Sequence, residues 1–236
     1  MTTRRQLLRS AAMLGAAGSI AAMPQAFAGG HAQTAQSQKD MSPDEALAEM
    51  KAGNQRFVSG NMRNRDLMSQ VKATADGQYP FAVVLGCIDS RVPPELVFDQ
   101  GIGDIFSPRI AGNFANTDII GSIEFATQLA GSKLVVVLGH TQCGAVKGAC
   151  DGAELGNLTQ TLSNISPALY AVKDVKGSRN SKNGEFVQRV ADENVRLTVS
   201  ALTDRSAVLS GLVAEKKLKI VGAMHNVSTG KVTFSA

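Results

Sequence analysis

Two fragments, Cys87-Ile88-Asp89-Ser90-Arg91 and His140-Thr141-Gln142-Cys143, hold the residue types in this chain best suited to grip a metal. Two thiolates and one imidazole form a soft donor set that suits zinc. Three protein ligands leave a fourth position for water or a side chain. A purely structural zinc site closes with four Cys or His ligands, so a three-donor set beside an uncommitted carboxylate reads as a catalytic centre. Two thiolates also cancel the charge of a dication, so water there is acidified less than it would be by three imidazoles. Help from neighbouring charge is therefore expected. Asp89 and Arg91, two residues apart, can supply it as a bidentate ion pair.

Each fragment needs an element to present it. Cys87 directly follows Phe81-Ala82-Val83-Val84-Leu85-Gly86, and His140 directly follows Lys133-Leu134-Val135-Val136-Val137-Leu138-Gly139. Both runs are short, apolar and rich in β-branched residues, the pattern of strands buried on both faces of a parallel sheet. The sulfurs and the imidazole then lie at the C-terminal ends of strands, where open α/β sheets bind ligands. Ser42-Pro43-Asp44-Glu45 supplies an N-cap, a first-turn proline and a capping-box glutamate for a helix running to about Ser59. The spacing predicts polar chain up to Gln78, a helical turn over Pro93 to Phe98 and a strand over Asp104 to Ile110. Asn116-Thr117 caps a helix with Ile119, Ile120, Ile123, Ala126 and Leu129 on one face. A short helix over Gly144 to Cys150 points its N-terminus at the cluster. Helices follow over Leu158 to Val175 (broken at Pro167), Glu185 to Thr203 and Ser206 to Lys217. A hairpin of Leu218 to His225 with Lys231 to Phe234 ends the chain. The fold class is α/β, a central and mostly parallel β-sheet flanked by helices.

Cys87-x-Asp89-x-Arg91 followed by His140-x-x-Cys143 resembles the β-class carbonic anhydrases. The similarity continues through Arg109-Ile110-Ala111-Gly112-Asn113 and from Gly139 to Gly144, and extends from about Ser42 to the C-terminus. It implies a β-carbonic anhydrase-like domain over 42–236 with one Zn2+ per subunit on Cys87, His140 and Cys143. The activity implied is reversible hydration of carbon dioxide to bicarbonate and a proton, with Arg91 orienting Asp89 to accept a hydrogen bond from zinc-bound hydroxide. In a closed variant Asp89 becomes the fourth metal ligand. That variant goes with a tryptophan three residues before the first cysteine and a tyrosine near the end of the chain, positions held here by Val84 and His225. Gln78, Phe106 and Phe125 match the residues lining the carbon dioxide pocket of the always-open subtype, which is the expectation. Family members lay the first helix across a partner, implying a homodimer or a dimer of dimers; the alternative is a helix that covers its own domain. Arg109 and Asn113 are expected to satisfy backbone groups, with a catalytic role as the alternative, and His225 to be satisfied by a local hydrogen bond, with proton shuttling as the alternative. Hydrolysis of carbon disulfide or carbonyl sulfide, or non-catalytic zinc or bicarbonate binding, are the competing readings. No CxxC occurs, which disfavours a thiol redox protein.

The 236 residues carry a mild net charge of +4 and no tryptophan. No aromatic residues interleave with basic ones, so nucleic-acid binding is not expected. Three cysteines make no disulfide framework, and Cys150 reads as a small buried apolar residue. Arg4-Arg5, an apolar stretch from Ser10 to Met23 and Ala26-Phe27-Ala28 form a twin-arginine signal over 1–28. The expectation is export by the twin-arginine machinery, cleavage after Ala28, a periplasmic protein and no permanent membrane anchor, the apolar part being too short to span a bilayer. Residues 29–41, including His31, read as a flexible spacer.

Overall fold

The computed structural model describes residues 32–235. The proposed signal, His31 and the first residues of the spacer lie outside this range. Five strands form one sheet in the order β2-β1-β3-β4-β5: β1 (Ala82–Gly86), β2 (Ile105–Phe106), β3 (Leu134–His140), β4 (Lys219–His225) and β5 (Val232–Phe234). The first four are parallel and β5 closes the edge antiparallel to β4. Every residue of β1 and β3 is buried, as two-sided coverage of a parallel sheet requires.

Strand alternation distributes the core. Val84, Leu134, Val136 and Leu138 face one side, packed with Ala46 and Met50 of α2 (Pro43–Ser59) and with Val97 of α4 (Pro94–Val97). Val83, Leu85, Val135 and Val137 face the other side. There they meet Ile120 and Ile123 of α5 (Thr117–Glu124), Val195 and Leu202 of α9 (Gly184–Arg205) and Leu209 of α10 (Ala207–Ala214). A third cluster contains Cys87 and Cys143. It is built from α6 (Gly144–Cys150), α7 (Gly156–Ser163), α8 (Ser166–Ala171) and the start of α9. Because Ala46 and Met50 are fully buried here, α2 covers its own sheet. Among the described residues no helix is long and apolar enough to cross a membrane.

Several expectations change. The spacer carries α1 (Ala35–Asp40), with Thr34 as N-cap. Gln38 Nε2 donates to the carbonyls of Pro80 and Ala130, both at 2.8 Å. Polar composition hides this anchor, since a glutamine amide can be buried when it satisfies two loop carbonyls. The polar stretch before Gln78 contains α3 (Leu67–Ala73), capped by Asp66. The strand expected over Asp104 to Ile110 shrinks to two residues because Pro108 lacks an N–H; pairing resumes as a single bridge around Arg109, where Gly86 N–H donates to the Pro108 carbonyl and Ile110 N–H to the Gly86 carbonyl. Phe125–Leu129 forms a π turn, whose wider pitch rotates Leu129 off the apolar face to 76% exposure.

Candidate active site

Three side chains from three segments converge. Cys87 follows β1, His140 is the last residue of β3 and Cys143 is the N-cap of α6; all three are buried. Their ligand atoms lie within 4.8 Å of one another, the one such group among the described residues. The two sulfurs are 3.9 Å apart. Two ligands at about 2.3 Å from one ion and at a tetrahedral angle would lie roughly 3.8 Å apart, so the pair fits zinc. His140 Nδ1 sits 3.0 Å from the Thr141 carbonyl, which fixes its proton there and leaves the Nε2 lone pair facing the sulfurs. That Nε2 is buried with no hydrogen-bond partner in the protein and is therefore free to bind an ion.

Charge at the cluster points the same way. The Cys87 thiol is drawn down, chiefly by the contact with Cys143 and further by His140 and the Gly112 N–H, against the cost of burial. Cys143 is pushed up by Cys87 and by burial, although the Ala145 and Val146 amides face its sulfur. Two buried sulfurs this close share one proton until a cation neutralises both.

Asp89 lies beside the cluster with both carboxylate oxygens held by Arg91. Its Oδ1 accepts from Arg91 Nε at 2.9 Å and from the Arg91 backbone N–H at 3.0 Å, and Oδ2 accepts from Nη2 at 2.8 Å. Oδ2 is 3.9 Å from His140 Nε2. Arg91 is the main reason the Asp89 carboxyl stays well below the ordinary carboxylate range.

A supporting layer holds this loop. Arg109 donates to the carbonyls of Cys87 at 2.8 Å and Asp89 at 2.6 Å, the backbone role expected of it. Gly112 (φ 86) brings its N–H to 3.4 Å from the Cys87 sulfur. An added Cβ there would meet Ile165 Cδ1 at 2.6 Å, so glycine is required twice over. Asn194 on α9 donates to the Gly112 carbonyl at 2.7 Å, with both groups buried. The sequence gives no sign of Asn194, because an amide inside a long amphipathic helix looks like any polar face position. Asn113 is buried with its Nδ2 unpartnered, not satisfied as expected.

Other expected residues fall elsewhere. Phe106 and Phe125 meet edge to face, 6.2 Å between centroids, and line a depression with Val83, Pro108 and Ser122 that excludes the metal ligands. Gln78 is exposed and precedes β1, whose five residues separate it by about 17 Å from the end that leads to Cys87. His225 is also a correction: both ring nitrogens are buried without a protein partner, and burial pulls the imidazole down to about 4. Strand pairing sets it beside His140, where no backbone group is left to satisfy it. Cys150 is buried, its thiol pushed up to about 11 by burial, as an inert core residue should be.

A family profile described as carbonic anhydrase matches residues 82–232, which span all three metal-ligand candidates and the Asp89–Arg91 pair. The chain is 36% identical over 200 residues to carbonic anhydrase 2 of Mycobacterium tuberculosis, covering 81% of this chain and 92% of that one. It is an enzyme of the β-class carbonic anhydrase family. The carbonic anhydrase of Mycolicibacterium smegmatis is 35% identical over 196 residues, covering 80% and 92% of the two chains. Among solved structures, the β-carbonic anhydrase CafA of Aspergillus fumigatus superposes with a TM-score of 0.61 at 28% identity, over 81% of this chain and 89% of that one. A Sordaria macrospora β-carbonic anhydrase, described as tetrameric, matches with a TM-score of 0.61 at 25% identity over 82% and 98%. The fold expected from the sequence, a mostly parallel sheet flanked by helices, is the fold these relatives share.

Proposed function

We propose that this protein catalyses the reversible hydration of carbon dioxide to bicarbonate and a proton, with one zinc per chain held by Cys87, His140 and Cys143. One observation carries the reading: three donors converge while the neighbouring carboxylate has both oxygens on Arg91. Zinc at such a site supplies Lewis acidity that makes water nucleophilic near neutral pH. Asp89, kept ionised by Arg91, can only accept hydrogen bonds. Its Oδ2 lies 3.9 Å from His140 Nε2, a place from which it would accept a hydrogen bond from the attacking oxygen and orient it toward the substrate carbon. Arg109 and the Gly112 turn hold the loop that carries Cys87 and Asp89.

Stopped-flow hydration of carbon dioxide by the zinc-loaded mature protein tests the activity, with carbon disulfide and carbonyl sulfide as comparison substrates. Arg91→Ala and Asp89→Asn should keep zinc and lose hydration rate by roughly a hundredfold, the scale on which misaligned reacting groups fail. Near-normal rates in zinc-replete Arg91→Ala, or turnover of the sulfur compounds alone, would overturn it.

The assembly proposed is a homodimer or a dimer of dimers. Supporting it, the depression lined by Phe106 and Phe125 includes none of the three metal-ligand candidates of its own chain, and Phe125, Leu96 and Ile102 are exposed apolar residues. The proposed location is the periplasm, with residues 1–28 as the cleaved twin-arginine signal.

A further inference from the structure

Gln142 lies between two of the three metal-ligand candidates and has no part in the reading above. Its backbone is in the left-handed region at φ 58, which residues with a β-carbon avoid unless surrounding contacts hold them there. Two such contacts exist. The side-chain Oε1 accepts from Lys147 Nζ at 2.5 Å, tying the loop to α6. The backbone carbonyl accepts from Arg91 Nη2 at 3.3 Å, and the same nitrogen donates to Asp89 Oδ2.

Arg91 is a half-exposed side chain. Besides Asp89, the Gln142 carbonyl is the one acceptor its guanidinium reaches among the described residues. A guanidinium held by a carboxylate alone would swing with that carboxylate; a second acceptor for Nη2, on the loop before Cys143, stops it. Asp89 Oδ2 already stands 3.9 Å from His140 Nε2, so a side-chain rotation is enough to add it to the donor set.

We propose that Gln142 is a positioning residue: its left-handed backbone, tied to α6 by Lys147, anchors Arg91 and thereby keeps Asp89 off the metal position. The inference rests on the zinc assignment made above and names what sets the fourth position open. It predicts opposite behaviour for two substitutions at one site. Glycine adopts φ 58 freely and keeps the carbonyl aimed at Arg91, whereas valine resists that conformation and turns it away.

The test uses the cobalt(II)-substituted protein, with thiocyanate binding at the fourth position followed by its visible spectrum. Metal content and melting temperature are measured on the same samples. Arg91→Ala gives the reference for a released Asp89. Gln142→Val should bind thiocyanate about tenfold more weakly than wild type, moving toward that reference, as expected for loss of one hydrogen bond to a charged group. Gln142→Gly should retain wild-type binding. Wild-type affinity in metal-replete Gln142→Val overturns the proposal, as does equal weakening in both variants. If Gln142→Val loses metal or fold, Lys147→Met tests the same link: weakening of severalfold supports it and none overturns it. A wild-type protein that binds thiocyanate but does not hydrate carbon dioxide rejects the proposed activity while leaving this comparison intact.

Discussion

Replacing Arg109 by methionine removes the two bonds that hold the Cys87–Asp89 loop while keeping most of the side chain's bulk. The donors reach the carbonyls of Cys87 at 2.8 Å and Asp89 at 2.6 Å. A hydrogen bond from a charged donor contributes about 1.5–3 kcal/mol net, so two are worth about 3–6 kcal/mol. The guanidinium is only partly buried, and water can reach the freed carbonyls, which puts the expected loss at the lower end, about 3 kcal/mol. In a domain of this size that lowers the melting temperature by roughly 6–12 °C. The same loop carries Cys87 and Asp89, so under the proposed zinc site a competing chelator should extract the metal faster. Hydration per zinc-loaded molecule should fall by no more than about tenfold, because Arg109 touches neither the cluster atoms nor the Asp89 carboxylate. Thermal unfolding, chelator-extraction rate and stopped-flow hydration are measured together. A shift under about 2 °C would refute the bracing role. A loss of rate of about a hundredfold with stability and zinc intact would make Arg109 a group that acts on the substrate.

Cys143→Ser should lose zinc or hold it far more weakly, since a hydroxyl is a poor replacement for a thiolate; full occupancy by elemental analysis with normal activity would remove Cys143 from the site. His225 gives a pH prediction. Its pKa falls from 6.5 to about 4 on folding, so the unfolded chain takes up a proton first as pH drops. The stability this group contributes is complete above about 6.5 and lost on the way to about 4, and His225→Phe should lose less stability over that window in urea unfolding than wild type. Equal losses in the two proteins would contradict the buried neutral imidazole. Replacing Arg4 and Arg5 together by lysine should hold the precursor in the cytoplasm, and unchanged mature protein in a periplasmic fraction would rule out the twin-arginine route.

The donor set and the elements that present it are legible from residue types and local pattern. Short continuous β-branched runs read as strands covered on both faces, which puts Cys87 just past the end of β1 and His140 at the end of β3. The capping box at Ser42 and Glu45 likewise marked the start of α2 from local hydrogen bonding alone. What tertiary structure decided is which ends meet. Cys87 and Cys143 are 56 positions apart, and their 3.9 Å contact exists because β1 pairs with β3. Sequence spacing carries no record of strand order. Gln38, Asn194 and Gln142 were invisible for the same reason: each is a polar residue defined by a carbonyl or a charge brought to it from elsewhere in the chain. Leu129 and His225 show the converse. Periodicity put Leu129 inside until a π turn rotated it out, and a strand-end histidine looked easily satisfied until burial beside His140 left it without a partner. Local pattern fixes what a residue can offer, and packing fixes whether anything is there to receive it.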